Sequence, residues 1–75
     1  MPFVEIKVFE DELSEEQKHE MIQKITEVVV SFAGENLRQA TWVVVQEVKS
    51  GHWGVGGKPL TLNDIRAIQA GKPGS

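Results

Sequence analysis

The sequence predicts an α/β (α+β) chain: a single β-α-β unit with a C-terminal hairpin and a short helix, assembled with further copies through oligomeric sheets. Three observations carry this expectation. Residues 3–9 and 41–48 are short runs rich in β-branched and aromatic residues with period-two alternation. Between them lies a segment of about twenty residues that opens on a capping sequence and repeats apolar residues at helical spacing. After them come four glycines in seven residues, 51–57, which dictate a tight turn.

The first strand, 3–9, sets Val4, Ile6 and Val8 on one face and Phe3, Glu5, Lys7 and Phe9 on the other. The purely apolar set should face the helix; the mixed set should be solvated or packed on another subunit. Asp11-Glu12-Leu13 forms the turn, and Ser14-Glu15-Glu16-Gln17 is a capping box with acidic residues suited to the helix dipole. Met21, Ile22, Ile25, Val28, Val29 and Phe32 follow helical spacing and form one stripe on an otherwise polar helix, with Gly34 as the C-cap. In the second strand Trp42, Val44, Gln46 and Val48 share one face, and Thr41, Val43, Val45 and Glu47 the other. The connection predicts parallel strands joined by a right-handed crossover. Residues 51–57 form a hairpin or loop carrying Trp53 and Val55. Thr61-Leu62-Asn63-Asp64 caps a helix of about 62–70, and 71–75 is a frayed tail. One domain, 1–75, holds all of this.

Two parallel strands under one helix leave a sheet face and both edges uncovered, an arrangement that should not persist alone in water. The chain has no cysteine to staple so small a core, so self-association is the expected source of stability. Two histidines, His19 and His52, argue against an imidazole-based zinc centre, and no metal or cofactor is expected. A net charge of −3 disfavours nucleic acid as a partner. Neither a signal peptide nor a run long enough to span a membrane is legible, which makes a cytoplasmic protein the expectation. The glycine cluster resembles a phosphate-binding loop in spacing only: no Lys-Ser/Thr pair follows and no helix begins at Gly57.

Pro2 carries the chemical possibility. A small residue after the initiator permits removal of Met1, which would expose a secondary α-amine. Such amines titrate near about 7.7–8.0, against about 10.4 for lysine, and burial beside apolar groups lowers them further. That suits a proton-shuttling base at neutral pH. Read by itself, Pro2 is equally a strand-initiating residue whose missing N–H does no harm.

Pro2 heading a strand, the β-α-β body and the Gly51-His52-Trp53-Gly54-Val55-Gly56-Gly57 hairpin together resemble the short members of the tautomerase superfamily, typified by 4-oxalocrotonate tautomerase. The resemblance runs from Pro2 to Gly57 and includes Glu16-Gln17-Lys18 and Glu47. It implies a hexamer built as a trimer of dimers, a small-molecule substrate, and a site between subunits in which the Pro2 nitrogen is the catalytic base. It also implies an apolar wall of Phe9, Trp53 and Val55 around that nitrogen. The family type has an arginine just after the first strand, where this chain reads Asp11-Glu12, and another at the start of the second, where it has Trp42. Trp42 is therefore the candidate pocket residue at that position. Binding of a dicarboxylate depends on paired guanidinium groups, so a monoacid is the expected substrate.

The expected activity is keto–enol proton transfer on a small 2-keto or 2-hydroxyalkenoic acid. Two alternatives stand beside it: a hydratase- or dehalogenase-like lyase in which Asp11 or Glu12 activates water, and a non-catalytic homologue. Each of these residues also has a plainer reading. Asp11 and Glu12 suit a solvated turn, Trp42 a packing or subunit contact, Lys7 an interface or solvent position, and His52 a polar loop. Arg38 and Arg66 lie outside the motifs.

Overall fold

The computed structural model describes residues 2–71. Strand β1 (Phe3–Phe9) leads into helix α1 (Glu15–Ala33), a 3-10 turn (Glu35–Ala40) and strand β2 (Trp42–Val48). The short strands β3 (Trp53–Val55) and β4 (Lys58–Leu60) and helix α2 (Leu62–Gln69) follow. β1 and β2 pair in parallel, with Phe3 beside Trp42, Ile6 beside Val45 and Phe9 beside Val48. β3 and β4 form a separate antiparallel pair. The tail expected over 71–75 lies outside the described residues except for Gly71.

Local chemistry explains the boundaries. At the start of α1 the Ser14 hydroxyl accepts from the Gln17 N–H, and the Gln17 side chain accepts from the Ser14 N–H, completing the predicted capping box. Gly34 ends the helix at φ 100°, a backbone angle that disfavours a side chain, and donates its N–H to the Val30 carbonyl. Gly56 and Gly57 both have positive φ, as a two-residue hairpin of the I′ kind requires. Thr61 and Asp64 form a second capping box at α2.

Four details differ from the sequence reading. The 3-10 turn at 35–40 was not foreseen, because its residues show no apolar period. Gly54 stands inside β3 opposite Pro59; a two-stranded ribbon tolerates both residues at its open edge. Along α1, Val28 and Phe32 are exposed, Phe32 at 89%, while Val30 is buried. The helix carries two adjacent apolar stripes, and the sheet takes the one containing Ile22, Val29 and Val30. Lastly, Phe9 is only 5% exposed although it belongs to the mixed face of β1, because Trp53 stacks on it.

The buried core consists of Val8, Phe9 and Val30 among the described residues. On the sheet face away from α1, Phe3 and Trp42 are about equally open, at 62% and 60%. The Cα radius of gyration is 15.2 Å and the long axis 45 Å, whereas a compact chain of this length has a radius near about 11 Å. No described helix is long and apolar enough to cross a membrane.

Candidate active site

The candidate residues fall into two groups at opposite ends of β1. At its start, the Pro2 carbonyl accepts the Trp42 N–H at 3.0 Å, so pairing with β2 extends back to Pro2 at the head of the strand. The Trp42 side chain lies on the open face next to Phe3. Arg38 reaches from the preceding 3-10 turn, but its guanidinium is held by Glu27 and Glu35. Those two carboxylates raise its pKa further and neutralise it. The cation nearest Trp42 in sequence is thereby committed.

At the other end, Phe9 and Trp53 stack with ring centroids 4.9 Å apart and planes 18° from parallel. Val55, two residues on, is exposed. The Trp53 Nε1–H is buried with no acceptor, a state that costs about 1–3 kcal/mol. Seven strand steps separate Pro2 from Phe9, a distance of about 23 Å. One chain therefore does not bring Pro2 to Phe9, Trp53 and Val55.

The turn after β1 is tightly organised. Glu12 accepts the Phe9 N–H through Oε1 at 3.0 Å and the Gln69 amide through Oε2 at 3.4 Å, so both carboxylate oxygens tie the turn to its surroundings. Asp11 adopts φ 68°, tolerable for a short polar side chain, and its N–H donates to Glu47. Glu47 also meets Lys18 at 3.3 Å. The Asp11 N–H and then Lys18 hold the Glu47 carboxyl below its ordinary range. Lys7 donates across the strands to Gln46 at 2.6 Å, which places it in the sheet surface. Among the described residues no group of His, Asp and Glu side chains could hold a metal ion.

Arg66 is the residue that sequence reasoning left without a place. It returns from α2 to donate to the carbonyls of Asp11 and Glu12, at 3.2 and 3.0 Å. Fifty-four residues separate Arg66 from Glu12, and no local pattern signals so distant a pairing.

Residues 2–63 match the sequence profile of the family described as Tautomerase enzyme. The chain belongs to the tautomerase family. Tautomerases are isomerases, and this member resembles a protein of Dickeya dadantii named as a probable tautomerase. The two are 38% identical over 61 residues, covering 81% of this chain and 90% of the relative. Among solved structures, the SAR1376 protein of methicillin-resistant Staphylococcus aureus superposes with a TM-score of 0.67 at 38% identity. That match covers 77% of this chain and 90% of the other. YwhB, a homologue of 4-oxalocrotonate tautomerase, superposes at 0.69 with 31% identity, covering 77% and 92%. The tautomerase β-α-β architecture with its C-terminal strands is thus common to all three structures.

Proposed function

We propose that this tautomerase shifts a proton between the enol oxygen and a carbon of a small 2-hydroxyalkenoate or 2-keto acid, using the Pro2 nitrogen once Met1 is removed. The carrying observation is the bond from the Trp42 N–H to the Pro2 carbonyl, which holds Pro2 of a tautomerase-family chain at the head of β1. An α-amine held this way loses little entropy when it meets the substrate. Its lone pair takes the enol O–H proton as the C=O bond forms, and the ammonium returns that proton to the carbon at the far end of the conjugated system. Atoms and charge balance without a cofactor.

The second half of the site comes from another copy. The two residue groups lie about 23 Å apart along one strand, with Trp53 stacked on Phe9 and Val55 exposed two residues on. Phe3, Trp42, Val28 and Phe32 are large apolar side chains left uncovered by the single chain. A hexamer arranged as a trimer of dimers would cover such faces and place Trp53, backed by Phe9, and Val55 against Pro2. Desolvation there would lower the prolyl amine further and keep it neutral at physiological pH.

The test compares processed protein with protein that retains Met1, in which the Pro2 nitrogen is an amide without a basic lone pair. With the enol of an aryl 2-keto acid as substrate, the processed form is expected to turn over and the retained form to be inactive. Both should have the same oligomeric state. Equal rates for the two forms would remove Pro2 as the base.

A further inference from the structure

Helix α2 begins at Leu62 and the family match ends at residue 63, so most of this helix lies beyond the matched segment. The helix returns one cation to the turn after β1. Arg66 donates through Nη2 to the carbonyls of Asp11 and Glu12 and through Nη1 to the Gln69 side chain, at 3.1 Å. All three acceptors are neutral, and Arg66 pairs with no carboxylate among the described residues. The chain's other arginine, Arg38, is paired with two. A guanidinium has five N–H donors; the three recorded bonds leave two uncommitted, Nε–H among them.

The setting defines what those donors can take. The two carbonyls belong to the turn that follows Phe9, and Phe9 is stacked with Trp53. An exposed guanidinium paired with no carboxylate, held on the turn that follows the Phe9–Trp53 stack, fits a ligand with one anionic group and a flat apolar body. The Asp11 and Glu12 carboxylates on the same turn would repel that ligand if Arg66 were absent.

We propose that Arg66 is the residue that binds the carboxylate of the substrate and sets the preference for monoanionic, flat 2-keto acids. This rests on the composite site proposed above. The carbonyl bonds fix the guanidinium plane in advance, so little side-chain entropy is lost when the carboxylate arrives.

The experiment uses processed full-length protein and the variants Arg66→Gln, Arg66→Lys and Gln69→Ala. Calorimetry measures binding of cinnamate, an inert aryl carboxylate, and of cinnamamide, its neutral counterpart. Kinetics use the enol of phenylpyruvate and that of its methyl ester. Arg66→Gln is expected to raise both the Kd for cinnamate and the KM for the acid about 10- to 100-fold, the loss of a charge-assisted pair. It should leave kcat, cinnamamide and the ester nearly unchanged. Arg66→Lys should recover part of the affinity, because the charge returns without the fork. Gln69→Ala removes its own contacts to Arg66 and Glu12 but leaves the cation and its two carbonyl bonds, so it should stay close to wild type. Unchanged cinnamate affinity in Arg66→Gln would overturn the proposal, as would a loss in Gln69→Ala equal to that in Arg66→Gln, which would make Arg66 a strut. The calorimetry does not depend on turnover, so failure of Pro2 as the base is read separately from failure of Arg66 as the anion site.

Discussion

Replacing Trp53 with phenylalanine should leave the fold as stable as before, or more so. The indole stacks on Phe9 at 4.9 Å, yet its Nε1–H is buried without an acceptor. Trimming indole to phenyl removes ring contact and burial, costing about 1 kcal/mol. Removing a buried donor with no partner returns about 1–3 kcal/mol. The balance for Trp53→Phe lies between neutral and a gain of about 2 kcal/mol. Trp53→Ala also deletes the stack: a fully buried ring costs about 3–5 kcal/mol, and a half-buried one relieved of its orphan N–H should cost about 2 kcal/mol. Urea midpoints at one fixed protomer concentration separate the two variants, provided the slope m is unchanged. A Phe variant weakened as much as the Ala variant would refute the reasoning. It would mean that the indole N–H has an acceptor, which another copy of the chain would have to supply.

Ser14→Ala removes the hydroxyl half of the α1 capping box and should lower stability by about 1 kcal/mol, read as a shift in urea midpoint. Glu47→Gln should weaken the fold at pH 7 and flatten its response to acid. The Glu47 carboxyl is held below its ordinary value of 4.5 by the Asp11 N–H and then Lys18. Its contribution is therefore complete above that value and fades as pH falls through the lower folded one. Urea midpoints between neutral and acid pH that decline in parallel for variant and wild type would contradict this assignment. Trp42→Arg places a cation one strand away from Pro2, and should raise kcat/KM for a dicarboxylic enol about tenfold relative to the monoacid; an unchanged ratio would detach residue 42 from substrate choice.

The β-α-β frame was legible because each element carried its own local signal. Ser14 and Gln17 marked one helix start and Thr61 and Asp64 the other, and the strands alternated cleanly. Alternation gave Phe9 its face but not its cover, which comes from a hairpin more than forty residues away. The periodicity of α1 likewise does not say which part of its apolar surface the sheet takes, and Val28 and Phe32 are left exposed. In the site, Pro2 and Trp53 could be singled out from the amino terminus and the glycine hairpin. The return of Arg66 to the turn after β1 could not be read, because its partners there are backbone carbonyls, and carbonyls leave no trace in residue identity.

The length of β1 has a genetic consequence. On the composite site proposed above, a chain with Pro2→Ala and a chain with Trp53→Ala would each be defective alone, yet each would supply the half of the site that the other lacks. Co-expressed in equal amounts and assembled at random, about one quarter of composite sites would draw both halves from intact ends. Two inactive alleles would then complement within one oligomer, whereas a double variant on a single chain, mixed with wild type, would spoil neighbours it does not encode.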